Sequence, residues 1–124
     1  DVEVRRPDVD ALKLAERFFA AGEAQQIIQA QGDAQERLFY RSWTAKEAYL
    51  KGRGVGLSLG LDRFEILFDD GSPLAYVRMT DSGALDMNWQ VQSLSLADDV
   101  SGALAVEGQA WQVRMCDSST DLFR

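Results

Sequence analysis

Residues 43–51 read Trp-Thr-Ala-Lys-Glu-Ala-Tyr-Leu-Lys, and residues 52–59 continue as Gly-Arg-Gly-Val-Gly-Leu-Ser-Leu. The first run predicts the end of an α-helix, and Gly52 predicts the left-handed residue that closes it. A carboxylate and two ammonium groups therefore lie on a short helical segment that leads into a glycine-rich loop. The glycines follow a helix instead of opening one, which excludes a Walker loop and a dinucleotide fingerprint. They fit a cap and a turn, or a backbone loop close to a phosphate.

Helical spacing sorts the charged residues of this segment onto two neighbouring stripes. Trp43, Glu47 and Lys51 lie four residues apart and share one stripe, while Lys46 lies on the next. Trp43 could seat the helix while Glu47 and Lys51 point into a cleft. The same spacing also fits a surface ion pair between Glu47 and Lys51, worth about 0.3–0.5 kcal/mol. Spacing alone leaves both interpretations open.

A second acidic pair, Asp1 and Glu3, opens the chain. On a strand these two side chains point to the same face. Two carboxylates held that close repel each other unless a cation lies between them. Mg²⁺ commonly binds one or two protein carboxylates together with phosphate oxygens, and Glu47 could complete such a set. The alternative is two solvated acids at a chain end.

Composition narrows the classes of site and partner. The chain has 124 residues, no His and one Cys, which excludes a His-based triad and a zinc site of His or Cys ligands. A metal would therefore be Mg²⁺ or Mn²⁺. The net charge of −7 makes nucleic acid an unfavourable partner. No apolar run reaches the roughly 20 residues of a membrane span. A single cysteine, Cys116, allows no internal disulfide, which predicts a protein of the reducing cytoplasm. Because the chain lacks an initiating Met, we expect a fragment or processed piece.

The pattern of elements predicts an α+β fold: a strand, then three helices packed on a mostly antiparallel sheet. Helices are expected from a cap at Asp8 or Asp10 to a stop at Gly22, over residues 23–31, and from a cap at Asp33 to Lys51. The predicted strands cover residues 1–6, 57–61, 64–68, 74–79, 87–96, 102–106 and 111–115, with a hairpin at 69–71 and with Trp89 and Trp111 in the core. Residues 1–116 are expected to form one domain and residues 117–124 a tail.

Residues 43–51 resemble the W-[ST]-x-K-E-[AS]-x-x-K motif of the 4′-phosphopantetheinyl transferases. Asp1-Val-Glu3 is similar to the D-x-E motif of that family. Between these motifs, residues 15–19 and Glu23 resemble the "A-x-R-F-F…E" stretch of the surfactin-synthetase-activating type, and residues 54–59 match the following loop. The resemblance covers roughly residues 1–106 with three motifs in order.

The resemblance implies transfer of the phosphopantetheine arm of coenzyme A to a serine of an apo acyl or peptidyl carrier protein, releasing 3′,5′-ADP. Asp1, Glu3 and Glu47 would hold Mg²⁺ against the pyrophosphate of coenzyme A, and Glu47 would take the proton of the serine. Lys51 would stabilise charge on the departing phosphate, and Lys46 would contact phosphate or brace the site. The basic residues expected to meet an acidic carrier protein are Arg5, Arg6, Lys13 and Arg17.

Family members of this type are two-lobed, and coenzyme A binds between their pseudo-dimeric lobes. The present chain resembles only the C-terminal lobe. We therefore expect a missing N-terminal lobe or a second copy of the chain to complete the site. Two alternatives remain open, namely a non-catalytic carrier-binding or scaffold module and an unrelated metal-binding domain acting on another phosphate ester. The pathway (siderophore, peptide, polyketide or fatty acid) stays open as well.

Overall fold

The computed structural model describes residues 1–54 and 59–116. It confirms the predicted α+β fold, with a strand followed by three helices and an antiparallel sheet. The helices are α1 Ala11–Phe18, α2 Ala21–Gln29 and α3 Asp33–Arg53, and the strands are β1 Val2–Val4, β2 Phe64–Phe68, β3 Leu74–Met79, β4 Trp89–Ala97 and β5 Val100–Glu107. Within residues 1–54 and 59–116, no helix is both long and apolar enough to cross a bilayer.

The five strands form a single sheet in the order β1-β5-β4-β3-β2, and all neighbours are antiparallel. The β2–β3 hairpin is the one predicted, with Phe64 opposite Met79 and Gly71 at φ +78° in its turn. Strand β1 is an edge strand whose Val2 lies opposite Gly102. The start of the chain is thereby fixed to its last strand.

Helix α3 lies between two apolar clusters. On one side, Tyr49 packs with Phe64 and Val91 against the sheet. On the other side, Phe39 packs against α1 and α2. Trp43 contacts both clusters, and its ring stacks 6.1 Å from the ring of Phe39, so it seats α3 as its spacing predicted. The helices thus cover one face of the sheet.

The helix boundaries depend on capping and packing. The carboxylate of Asp10 accepts a hydrogen bond of 3.1 Å from the backbone N–H of Lys13, which confirms the cap of α1. Helix α1 ends at Phe18, so the stop predicted at Gly22 is wrong and Gly22 lies in α2. Asp33 is the first residue of α3 and not its cap, which is Gly32.

The predicted exit of α3 is wrong by two residues. Gly52 is helical, and Gly54 adopts the left-handed conformation at φ +70°. A Cβ on Gly52 would lie 2.7 Å from the Trp89 ring, so this glycine allows α3 to approach β4 closely. Gly54 accordingly performs the capping that the sequence assigned to Gly52.

Two other predictions concern the loop after α3 and the C-terminal segment. Two parts of these predictions lie outside the described residues, namely positions 57 and 58 of the predicted strand 57–61 and the predicted tail 117–124. Leu61, the last residue of that predicted strand, belongs to a 3₁₀ turn. The strand predicted at 111–115 is wrong, because this segment has no regular structure. Trp111 is 55% exposed and not a core residue, while Trp89 packs against the core as predicted.

Candidate functional site

The first contact of interest joins the two motif-bearing elements, β1 and α3. Lys51 Nζ donates a hydrogen bond of 2.5 Å to Asp1 Oδ1. The Asp1 side chain is only 4% exposed, whereas that of Lys51 is 65% exposed. Asp1 Oδ2 is buried and has no hydrogen-bond partner among the residues that the structure describes. A buried carboxylate oxygen without a donor carries a desolvation cost that a bound cation would remove.

Two contacts define the direction of β1 along α3. Asp1 contacts Lys51 near the end of α3, and at the other end of β1 Arg5 Nη1 lies 3.6 Å from Asp33 at the helix start. The two elements are therefore antiparallel. Two strand residues span about 6.6 Å and four helical residues about 6 Å. A strand and a helix that run side by side would therefore bring Glu3 to about the level of Glu47.

The predicted metal ligands are not gathered into a tight cluster. Within the described part of the chain, no three His, Cys, Asp or Glu side chains lie close enough together to hold a metal ion. The chemistry of the group nevertheless fits a hard cation, because all three predicted ligands are carboxylates and Asp1 Oδ2 lacks a donor. The ammonium of Lys51 supplies the positive charge at Asp1. Metal binding by Asp1, Glu3 and Glu47 stays a prediction.

Lys46 lies in the interior, away from this contact. Its side chain has no exposed surface, and its Nζ pairs with the Glu23 carboxylate and donates 2.6 Å to Phe64 O. Contact between Lys46 and a phosphate of coenzyme A is incompatible with this burial, which corrects one of its two predicted roles. The other role, bracing the site, fits because Lys46 joins α3 to α2 and β2.

The partner of Lys46 is Glu23, a residue that the motif comparison quoted without assigning it a role. Besides Lys46, its carboxylate accepts hydrogen bonds from the backbone N–H groups of Ile66, at 2.8 Å, and Ala20, at 3.2 Å. Burial raises the pKa of Glu23 and lowers the pKa of Lys46, since removal from water disfavours both charged forms. The charged form of each side chain is stabilised by the other, and that of Glu23 is stabilised also by the two backbone N–H groups.

Helical geometry explains why adjacent residues of the motif differ so much in environment. Successive helical positions are rotated by about 100°, so Lys46 faces the interior while Glu47 is half-buried. Lys51, one turn beyond Glu47, reaches the surface and contacts Asp1. The structure thus brings Asp1 and Lys51 into contact and separates Lys46 from both.

The four basic residues predicted to meet a partner divide into two groups. The side chain of Arg6 is exposed and donates to Asp8, while Lys13 and Arg17 are exposed four residues apart on α1. Arg5 differs, since its side chain is only 10% exposed and faces the start of α3. Of the four, Arg6, Lys13 and Arg17 are therefore available to a partner, and Arg5 is not.

A network that the sequence did not reveal fixes the end of α3. Tyr49 Oη donates 2.5 Å to Asp86, and Arg53 donates 3.1 Å to Tyr49 Oη. Burial, together with the hydrogen bond to Asp86, raises the pKa of Tyr49 to about 12. The network ties the last turn of α3 to the segment before β4, and so it fixes the helix on which Glu47 and Lys51 lie.

Comparison with known proteins settles the family. The 4′-phosphopantetheinyl transferase superfamily matches residues 1–108 of the chain. The chain belongs to this superfamily. The phosphopantetheinyl transferase HetI of Nostoc sp. is 33% identical over 112 residues, which are 90% of the chain and 44% of HetI. Sfp of Bacillus subtilis is 39% identical over 72 residues, which are 57% of the chain and 31% of Sfp.

A solved structure shares the fold. The crystal structure of Thermotoga maritima holo-[acyl-carrier-protein] synthase (AcpS) matches with a TM-score of 0.67, covering 89% of this chain and 61% of that one. The sequence identity is 21%, so this likeness concerns the fold. The chain spans less than half of the length of HetI and of Sfp. The predicted match to one lobe of a phosphopantetheinyl transferase agrees with these proportions.

Proposed function

We propose that this chain acts in the transfer of the 4′-phosphopantetheine arm of coenzyme A to a serine hydroxyl of an apo carrier protein, with 3′,5′-ADP as the leaving product. The observation that carries the proposal is the contact between Asp1 and Lys51. It joins the strand bearing the D-x-E motif to the helix bearing the K-E-x-x-x-K motif, at the end where Glu47 lies. Membership of the transferase superfamily supports the reaction class.

In the proposed reaction, the serine oxygen forms a bond to the β-phosphorus of coenzyme A, and the bond from that phosphorus to the bridging oxygen breaks. Glu47 accepts the proton that the serine loses. Asp1, Glu3 and Glu47 would hold Mg²⁺, or Mn²⁺ in its place, and the ion would supply positive charge against the pyrophosphate. Phosphoryl transfer depends mainly on positioning and charge, and these residues supply both.

Lys51 is suited to move during this reaction. Its side chain is 65% exposed and can reach into solvent, whereas the Asp1 side chain is only 4% exposed and would lose its cation on release. Release of Lys51 is therefore favourable only where another cation meets the Asp1 carboxylate. The free ammonium then stabilises the negative charge that develops on the departing phosphate.

The partner surface is proposed to be Arg6, Lys13 and Arg17, which are exposed and basic in a chain of net charge −7. An acidic carrier protein would meet this surface with opposite charge, which favours encounter. Coenzyme A is proposed to bind between this lobe and either the N-terminal lobe of the longer protein or a second copy. A cytoplasmic location is proposed on the basis of these substrates.

A second candidate function is a carrier-binding lobe without catalysis. It is favoured by one observation, namely that no three acids among the described residues lie close enough together to hold a metal ion. This lobe would bind the carrier protein without needing Mg²⁺ or coenzyme A.

The experiment measures the intact mass of an apo carrier protein incubated with coenzyme A, Mg²⁺ and the chain, either alone or with a separately produced N-terminal lobe. Gain of one phosphopantetheine arm under either condition is expected. Glu47→Gln should slow the gain by about 100-fold or more without lowering the melting temperature. Glu16→Gln on the exposed face of α1 is the matched control and should leave the rate unchanged.

Three results separate the candidates. Gain with the chain alone identifies a lobe that is catalytic with a second copy, and gain only with the N-terminal lobe identifies half of a divided site. Carrier binding without any mass gain supports the second candidate. Turnover by Glu47→Gln at the rate of the unmodified chain would remove Glu47 from the reaction.

A further inference from the structure

A cavity of about 810 Å³ lies away from the Asp1–Lys51 contact and is lined by three arginines. Arg5 comes from the exit of β1, and Arg37 and Arg41 come from successive turns of α3. The rest of the wall consists of the β2–β3 turn at residues 71–73 and parts of β4 and β5. Three cations from two elements therefore border one open cavity in a chain whose net charge is −7.

Arg5 and Arg37 share a single carboxylate. Arg37 Nε lies 2.6 Å from Asp33, whereas Arg5 Nη1 lies 3.6 Å from it, beyond hydrogen-bond distance. The Arg5 side chain is nine-tenths buried, and its Nη1 has no hydrogen-bond partner among the described residues. One negative charge thus faces two positive ones, and a buried donor is left unsatisfied, which is costly.

Arg41 is held in place without a carboxylate. Its guanidinium carbon lies 3.9 Å from the centre of the Phe68 ring, and its Nε lies 3.4 Å from Ser93 Oγ. Within the part of the chain that the structure describes, no acid lies within ion-pair distance of it. Burial lowers the pKa of Arg41 and the more distant Asp70 opposes this shift, but a guanidinium stays charged at neutral pH.

We propose that this cavity binds an organic phosphate monoester. A phosphate monoester is a dianion above pH 7 and presents three oxygens, so guanidinium groups from different directions can each take one. The volume exceeds that of a bare phosphate, so the cavity has room for the organic group of a monoester. Asp98 also lines the wall, and its charge opposes an anion on its own side of the cavity.

This inference rests on the cavity alone and is independent of the proposed transfer reaction. Arg41 and Lys51 are ten residues apart on α3, a separation of about 15 Å along the helix axis. A ligand in the cavity therefore lies beyond the level of Glu47. Binding of such a ligand can be measured without coenzyme A or a carrier protein.

The test is a titration of the chain with phenyl phosphate at pH 7.5, followed by the backbone amide signals of residues 71–72 and 93–102 in ¹H–¹⁵N correlation spectra. We expect saturable shifts confined to these segments. Arg41→Gln should weaken binding by about tenfold or more, because it removes a charge-assisted interaction. Arg63→Gln, at an exposed position of the 3₁₀ turn outside the cavity, is the matched control and should bind within about twofold of the unmodified chain.

Several outcomes would overturn the proposal. Shifts that rise linearly without saturation, or equal affinity in Arg41→Gln, would show that the arginines hold no site. Equal or tighter binding of phenylacetate would overturn the choice of a phosphate over a carboxylate. If the spectrum of Arg41→Gln shows loss of the fold, the exposed Arg37→Gln provides the test, and unchanged affinity in that variant would contradict the site.

Discussion

Replacement of Lys46 by Met tests the buried ion pair on which the placement of α3 depends. Met keeps most of the volume of the lysine side chain, so the change removes the charge while leaving only a small cavity. Glu23, which is 4% exposed, then loses the cation that compensates its charge. Removing one partner of a buried pair typically costs about 3–5 kcal/mol. That loss is a large part of the roughly 5–15 kcal/mol by which domains are stable.

The loss in Lys46→Met should depend on pH. Burial already raises the pKa of Glu23, and removal of the ammonium raises it further. A carboxyl whose pKa is higher in the folded than in the unfolded state binds more protons when folded, so stability falls as pH rises above its unfolded pKa. The difference between the unmodified chain and the variant should therefore be larger at pH 8 than at pH 5.

The assay is urea unfolding followed by circular dichroism and tryptophan fluorescence at both pH values. The double variant Lys46→Met/Glu23→Gln carries no buried charge and should be more stable than Lys46→Met at pH 8. Lys13→Met, at an exposed position of α1, is the control and should change stability by less than about 0.5 kcal/mol. A cost below about 1 kcal/mol for Lys46→Met, equal at both pH values, would refute this account of the pair.

Two further predictions concern the end of α3. Gly52→Ala should destabilise the fold by about 1–2 kcal/mol in urea unfolding, because the clash of its Cβ, 2.7 Å from the Trp89 ring, outweighs the better helix propensity of alanine. The same change in a Trp89→Leu background should be neutral or stabilising. An equal loss in that background would contradict the steric reason. The raised pKa of Tyr49 makes the unmodified chain lose stability between pH 10 and about 12, by up to about 2–3 kcal/mol. Tyr49→Phe should lack this loss, and parallel alkaline curves for the two proteins would count against it.

Local patterns predicted the hairpin but not the helix exit. Alternating apolar residues and the Asp-Asp-Gly turn are properties of neighbouring residues, and they gave the bounds of β2 and β3 correctly. The role of Gly52 depends on Trp89, which is distant in sequence, and so no local pattern separates it from Gly54. Both glycines follow cationic helical residues, Lys51 and Arg53, and only the packed sheet shows which one ends the helix.

The C-terminal segment shows why alternation alone can mislead. Residues 111–115 alternate as a strand would, yet a side chain takes the place of a strand partner. The amide of Gln90 donates 2.9 Å to Trp111 O and accepts 3.0 Å from Trp111 N–H. A glutamine thus supplies the pairing of one peptide unit, and the alternating residues after it remain outside the sheet.

The candidate site was predictable in part. The motif residues could be named from the sequence, and Glu47 and Lys51 lie one turn apart on α3, as helical spacing requires. The burial of Lys46 could not be predicted, because it depends on Glu23 in another helix. The only signal was the motif resemblance that includes Glu23. Arg37 and Arg41 gave no signal because charged residues on a helix are usually solvated.

The pairing of β1 with β5 has a consequence for folding during synthesis. Asp1 and Ala103 are 102 residues apart, although Asp1, Glu3 and Glu47 all belong to the first half of the chain. When the three helices have left the ribosome, strand β5, with which β1 pairs, has not yet been synthesised. Closing so long a loop is slow and entropically costly, so β1 should join the sheet late. The acidic residues are thereby kept apart until nearly the whole domain has emerged.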